Sequence, residues 1–579
     1  MPGNAHSQTV INFGPFEADL QARELRKNGV RLRLPNQSFQ ILQMLLQRPG
    51  ALVSREELHA ALWSADTFVD FQKGINAAIK RLRQTLGDSA DSPRYVETLH
   101  RRGYRFIGTI PAQAQLVAQP RAASVAVLPF VNLGGEPQNE FFADGITEDV
   151  IAHLAKIRSL KVISRTSVMA FKKRESALRD IGEKLGASTL LDGSVRRAGN
   201  RVRIVAQLVD AASDEHIWAE TYDRDLTDIF AIQTDVALQI ANALRAELSH
   251  EERTRVGRRP TYNLEAYEFY LRGRDSLKRF SEEGYRRSLI EFDAAIALDP
   301  DFALAWASIA EVHAVVSMGG GVIKSPEETV LHAKKAAARA LQLDDELGEA
   351  HSVAGLIQLV FDFNWSGAER LFQRAIELSP GSADVHEHYS RLCASLDRYD
   401  DALRELLVAR ELDPLKIQTD VATTLLRAGR VEEALHEARR SVREQPAAPR
   451  SHSILGWALI FHGEHAAGIA ALEKAVALSS GETLFLSQLG EACGLCGDTA
   501  RARQILEQVR DRSKHQFVSS YHFAYLYTGL GEADAAMDAL ELAFRQRSGA
   551  VYGIRGSFLL KNLRPHPRFQ SLLRRMNLA

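Results

Sequence analysis

The 579-residue chain reads as a multidomain protein: a small α+β domain, then a small α/β domain, then an all-α repeat superhelix. Three observations predict this. Residues 71–106 join an amphipathic basic helix to two alternating strands, residues 123 to about 255 alternate strand and helix patterns, and from Asn263 onward helical units recur with a period near 34.

The first domain builds from its amino end. Val10–Asp19 and Glu24–Leu34 read as short strands with turns at Gly14-Pro15 and Asn28-Gly29, the second a strong hairpin signal. Asn36–Gln47 is a helix with Phe39, Leu42, Leu45 and Leu46 inward, stopped by Pro49-Gly50. Ser54-Arg55-Glu56-Glu57 is a capping box for a second short helix through Leu62. In the next helix Phe71, Ile75, Ile79, Leu82 and Leu86 recur every three or four positions and form the buried stripe. Its other face carries Lys73, Asn76, Lys80, Arg81, Arg83 and Gln84. Tyr95–Thr98 and Tyr104–Ile107 then alternate as two strands around a turn of His100, Arg101, Arg102 and Gly103. Four strands, three helices and a terminal hairpin make a winged helix-turn-helix.

Charge singles out the same stretch. Residues 1–70 hold seven Lys/Arg and seven Asp/Glu, whereas residues 71–105 hold eight and three. The whole chain has net charge −1, so the positive excess is local, as a polyphosphate-binding face requires. A solvated amphipathic helix is the bland alternative.

These residues resemble the OmpR/PhoB-type winged-helix output domain over roughly residues 8–110. The landmarks are Leu34-Pro35, the run from Arg48 to Leu58 (RPGALVSREEL), Ile79-Lys80-Arg81-Leu82-Arg83, and Gly103-Tyr104-Arg105-Phe106. In that family the third helix enters the major groove and the wing touches the adjacent minor groove. The resemblance implies double-stranded DNA as partner, with Lys73, Asn76, Lys80, Arg81 and Arg83 contacting it from the helix and Thr98, His100, Arg101 and Arg102 from the hairpin. Where the family often has a polar base-reading residue this chain has Ala78, whose methyl could still meet a thymine methyl.

The composition, 45% hydrophobic and 25% charged, is that of globular protein. Met1–Thr9 is polar, without the apolar core of a signal peptide, and apolar windows such as Ser124–Val131 are far shorter than the roughly 20 residues of a membrane span. A soluble, cytoplasmic protein without membrane attachment is expected. Residues 111–122 are Ala/Gln/Pro-rich, a linker composition.

Within 123–255, strands are expected at Ser124–Phe130, Lys161–Ser164, Leu190–Arg197, Val202–Asp210 and Ile217–Thr221. Helices are expected from about Thr147 to Ile157, closing at Ile181–Gly186, and at Asp228–Leu248. The stretches VAVLPFVNL, FFADGITEDVIAHL, LLDGSVRRAGNRVRIVAQLVDA and HIWAETYDRDL resemble the TolB-amino-terminal-like module that precedes helical repeats in some bacterial regulators and nucleotide cyclases. Asp144, Glu148, Asp149 and Asp223 could be an acid/base or metal set; the plain expectation is that they cap helices or sit in loops.

Residues 262–579 repeat. Ala368, Ala402, Ala434 and Gly468 form one column, Phe372, Leu406, Ala438 and Leu472 the next, and Ala375, Ala409, Ser441 and Ala475 a third. Units end at Pro380, Pro414, Pro446 and Ser480, spaced 34, 32 and 34 apart. Small residues where helices cross and Pro closing the second helix are the tetratricopeptide (TPR) signature. Eight hairpins are expected, with Pro567–Met576 as a capping helix. Stacked units form a superhelix whose groove is expected to hold a protein or peptide partner.

Other motifs weigh less. Cys493-Gly-Leu-Cys496 could be a redox pair or half a zinc site, but Cys493 shares a column with Cys393, Leu425 and Leu459, a core position. His462-Gly-Glu-His465 and His386-Glu-His388 could be ligands, but each falls where surface polar residues are expected. Gly319–Ser325 lacks the Gly before Lys324 that a phosphate loop needs. With no nucleophile–base set, no metal cluster and no cofactor motif, a non-enzymatic regulator is expected. No receiver domain precedes the winged helix, so control would come from the carboxyl-terminal side, with a dimer on two half-sites. The alternative is a repeat scaffold whose winged helix is a protein-interaction module, which does not require the local positive charge.

Overall fold

The computed structural model describes residues 10–19, 24–27, 30–32, 34–47, 50, 52–55, 57–58, 71–90, 93–99, 102–108, 123–134, 140–173, 176–277, 281–320, 326–416, 419–547 and 549–578. These fall into two compact units, 1–122 and 123–579.

In the first unit, β1 (Val10–Phe13), β2 (Phe16–Asp19), β3 (Glu24–Lys27) and β4 (Val30–Leu32) form an antiparallel meander. Gly14 turns the first corner at φ +53°, a conformation that favours glycine. Helix α1 (Asn36–Gln47) buries Phe39, Leu42, Leu45 and Leu46 as its pattern requires. Helix α2 (Phe71–Leu86) buries Ile75, Ile79, Leu82 and Leu86, and Ala78 with them. A three-stranded sheet of order β5-β7-β6 follows, from β5 (Leu52–Ser54), β6 (Val96–Leu99) and β7 (Gly103–Phe106). Phe13 packs against Phe16, Tyr95 and Phe106 with ring centroids 5.4, 5.6 and 5.2 Å away, which ties the meander to the terminal hairpin. Ser54 and Glu57 make the reciprocal bonds of the capping box, 2.7 and 3.1 Å. Asn28-Gly29, Pro49, Glu56 and residues 59–62 lie outside the described residues.

In the second unit, β8 (Ala123–Val127), β10 (Leu160–Val162), β11 (Thr189–Ala198), β12 (Arg201–Asp210) and β13 (His216–Asp225) form a sheet of order β10-β8-β11-β12-β13, with β9 (Val131–Asn132) beside β11. The β11–β12 hairpin turns at Gly199-Asn200, between the two strands expected there. Helix α3 runs Glu140–Ala155, seven residues earlier than its predicted start. Gly145 lowers the local helix propensity that the sequence shows, while in the fold it lies against the Leu271 side chain, 2.6 Å from where a Cβ would stand. The expected helix 228–248 is Ile229–Ala243, and a second helix, His250–Val256, opens with a Ser249–Glu252 capping box.

Among the described residues the repeats form eight hairpins. Their first helices are Leu264–Leu277, Ala303–Val315, Gly348–Ile357, Ala383–Ser395, Asp420–Arg427, Pro449–His462, Thr483–Leu495 and Ser520–Gly529. All three predicted columns are buried, because each hairpin hides its apolar face only against its neighbours. The α/β elements share this core. One expectation gains a detail and one changes. Pro567–Arg575 is helical and packs on the last hairpin, Arg568 pairing with Asp538 at 2.7 Å and Glu541 at 3.0 Å, and the end of the chain also returns to the third hairpin, where Trp365 Nε1 donates to Met576 O at 2.8 Å and Asn577 Nδ2 to Phe363 O at 3.3 Å. His386 is buried, its Nδ1 2.6 Å from Glu405, and His388 is held near pKa 3 by burial, since a first helix in mid-array is covered from both sides. Gly321–Ser325 lies outside the described residues.

Candidate nucleic-acid interface

Helix α2 is fixed on its inner face and open on its outer one. Ser38 Oγ donates to Ala78 O at 3.0 Å, and Ala78 is only 2% exposed. Its methyl therefore packs in the core and does not face a thymine. The outer face presents Asn76, Lys80 and Arg81, all exposed. Lys80 and Arg81 have no ion-pair partner among the described residues. Lys73 stands in the first turn of the helix.

The other predicted residues divide. Arg83 turns toward the hairpin: Nη2 donates to Val96 O at 2.6 Å and Thr98 Oγ1 at 2.9 Å, and Nε to Val96 O at 3.2 Å. Arg102 is exposed next to the hairpin tip. His100 and Arg101 lie outside the described residues.

Four residues outside the expected DNA-contact set hold this face together. The Asp88 carboxylate accepts from the backbone N–H groups of Arg94, Tyr95 and Val96 at 2.7, 3.2 and 2.8 Å, pinning the loop between α2 and β6. Tyr104 OH donates to Asn76 Oδ1 at 2.9 Å and accepts from Arg55 Nη2 at 3.2 Å, with the Arg55 guanidinium 5.3 Å from the Tyr104 ring centre. Arg55 Nη1 also reaches Asn76 Oδ1 at 3.3 Å. Asn76 thus spends its carbonyl inside the domain, which leaves its amide as the outward donor. Gly103 allows β7 to pass β5, because a Cβ there would lie 2.1 Å from Val53 O. Arg55, Gly103 and Tyr104 fall within the family landmarks; Asp88 carried no signal.

The acidic set does not cap helices or sit in loops. Asp144, Glu148 and Asp149 lie inside α3, along the seam with the repeats. Asp144 pairs with Lys172 at 2.8 Å, and Glu148 with Arg165 at 3.1 Å and Arg274 at 2.9 Å; Arg274 also holds Glu311 at 2.9 Å. Asp149 bonds Gln233 and Tyr267, and burial, aided by the neighbouring Glu148 charge, raises its pKa to about 8. Asp223, on β13, pairs at the surface with Arg201 and Arg203, both at 2.6 Å. Cys493 is buried in its predicted column, and burial pushes its thiol up to about 11. No helix among the described residues is long and apolar enough to cross a membrane.

Comparison with known proteins agrees with this layout. Residues 29–106 match the family "Transcriptional regulatory protein, C terminal", and residues 364–416 and 420–483 match "Tetratricopeptide repeat". Putative adenylate cyclase 3 of Rhizobium meliloti (strain 1021) is 43% identical over 195 residues, 34% of this chain and 33% of that protein. Transcriptional regulator HilA of Salmonella typhimurium is 22% identical over 410 residues, 70% of each chain. Cholera toxin transcriptional activator of Vibrio cholerae serotype O1 is 34% identical over 93 residues, 16% of this chain and 32% of that protein. The chain thus spans about a third of the first and the last of these relatives. It carries an OmpR/PhoB-type transcriptional-regulator domain in its amino-terminal unit and tetratricopeptide repeats in its carboxyl-terminal half.

Proposed function

We propose that this protein is a cytoplasmic, non-enzymatic transcriptional regulator that binds double-stranded DNA through α2 and the adjoining hairpin. The observation that carries it is the outer face of α2, where Asn76, Lys80 and Arg81 stand exposed on a helix braced from behind by Arg55, Tyr104 and Arg83. Lys73, Lys80, Arg81 and Arg102 act on phosphates or base edges, and the Asn76 amide reads a base acceptor. His100 and Arg101 extend the same contact from the hairpin. Arg83 and Thr98 position the wing rather than touch DNA. A homodimer would engage two half-sites.

The repeats dock a protein or peptide partner on their inner face. The module between them and the winged helix is read as TolB-amino-terminal-like and serves as their rigid mount.

Fluorescence anisotropy of the full chain on genomic fragments across a salt series tests the DNA reading. Preference for particular fragments, a fall in affinity with salt, and a slope reduced by about 1 in Arg81→Ala are expected. Equal binding to random DNA, or an unchanged slope in Arg81→Ala, would remove it.

A further inference from the structure

The inner column of the array can be read from its spacing. Two residues before the buried column Cys393, Leu425, Leu459 and Cys493 come Arg391, Thr423, Trp457 and Glu491, and 34 residues further on Tyr525. This column, and the turn that follows it, meets the chain's own tail. Tyr552 lies within electrostatic reach of Arg391, and Arg555 pairs with Asp397 at 2.8 Å. Phe558 packs against Trp457 and Phe461 with centroids 6.1 and 5.6 Å away. A Cβ on Gly553 would be 3.2 Å from Arg427, and one on Gly556 would be 2.9 Å from Tyr399 Oη. Val551, Ile554, Leu560 and Leu563 are 0–2% exposed. The tail does this without a continuous helix: between the turns Gly549–Gly553 and Lys561–Leu563 it runs as irregular chain.

As an occupant the tail is incomplete. Glu491 is 0% exposed, and neither carboxylate oxygen has a partner among the described residues; Ser487 Oγ, Arg427 Nε and Trp457 Nε1 are orphaned with it. Buried polar groups in folded proteins are as a rule satisfied; burial holds the Glu491 carboxyl well above its usual range and so protonated, and a cation placed beside it would let it ionise. Ser557 stands nearby, since the Tyr521 phenol bonds Ser557 and feels both Arg427 and Glu491.

We propose that the inner face of hairpins four to eight is a peptide-binding site, which residues 551–563 hold shut as an internal ligand. Its external ligand is an extended segment that places an aromatic side chain on Trp457 and Phe461 and a guanidinium or ammonium on Glu491. This rests on the reading of the repeats as a protein-docking array. The aromatic contact copies what Phe558 already makes; the cation supplies what the tail lacks.

The test uses the full chain with a protease site between Ser548 and Gly549 and a fluorophore at its carboxyl end, cleaved after folding. The labelled tail is expected to stay bound, to exchange out against excess 549–579 peptide, and to leave the helical circular dichroism intact. A Phe558→Ala peptide should compete about tenfold less well. A Ser557→Arg peptide should compete about tenfold better than the native one, with that gain gone in Glu491→Gln. A tail that never exchanges, or whose release unfolds the repeats, overturns the site. Equal competition by the native and Ser557→Arg peptides overturns the cationic ligand. DNA anisotropy on the same uncleaved sample reports the regulator reading separately, so either can fail alone.

Discussion

Charge is concentrated in two places in this molecule and treated oppositely. On the winged helix, Lys80, Arg81 and Arg102 stand in solvent with no ion-pair partner among the described residues. Along the seam of the 123–579 unit, Arg165, Lys172 and Arg274 are folded against Asp144, Glu148 and Glu311. Cations left unpaired in water keep their attraction for an external polyanion, whereas cations paired with partly buried carboxylates, as Arg165 and Arg274 are, fix one element against another. The same residue types therefore predict opposite mutational behaviour: stability lost at the seam, binding lost at the face.

The largest effect is expected at Arg274, which serves two carboxylates at once. Arg274→Met leaves Glu148 without that partner and Glu311 facing an apolar side chain, and should lower the stability of the repeat unit by about 3 kcal/mol or more. Thermal or urea unfolding measures it. DNA affinity should be unchanged; a mutant that melts like the parent would break the contrast.

Asp149 sharpens it through pH. Its carboxyl lies well above the ordinary value of 3.8, at about 8, because burial disfavours the charge and Glu148 repels it. Gln233, Lys156 and Arg274 act against that rise, and Tyr267 bonds the same oxygen. The folded protein holds a proton that the unfolded chain releases near pH 4. This stabilising contribution is therefore complete below that pH and is lost as pH rises toward about 8. The loss is on the order of 2 kcal/mol, discounted from ~1.4 kcal/mol per pH unit because the site is partly accessible to solvent. Asp149→Asn should flatten the decline between pH 5 and 8 in urea melts; an equally steep decline in the mutant would place its source elsewhere.

The legibility of the two regions follows the same division. The buried stripe of α2 and the repeat columns were readable because apolar and small residues at fixed spacing have only one economical packing. The exposed face of α2 followed from that stripe by subtraction. The seam was not readable: Glu148 and Arg274 are 126 positions apart, and nothing local marks a mid-helix carboxylate as paired across an interface. Arg83 is likewise not placed by its helix position alone. Its place on the basic face pointed outward, but a side chain of that length reaches the neighbouring strand, where a carbonyl and a hydroxyl already face it. Of the tail, only the helix has a pattern that can be read; the irregular stretch before it has none.

Arg81 and Arg83, two positions apart on one helix, bring the contrast down to its smallest scale. Arg83→Ala removes three hydrogen bonds to Val96 and Thr98 and should lower the melting stability of the amino-terminal unit by about 1–2 kcal/mol. Its weaker DNA binding should be recovered in part when the wing is steadied by low temperature. Arg81→Ala should leave the melt within ~0.5 kcal/mol of the parent and act only on the salt slope. Arg83 is half-buried and Arg81 exposed, so a wing-bracing guanidinium and a phosphate-seeking one are separable by two measurements on two mutants. If Arg83→Ala left the melt unchanged and lowered the salt slope as Arg81→Ala does, its guanidinium would belong to the DNA-facing set, and the brace would rest on Arg55, Asp88 and Tyr104.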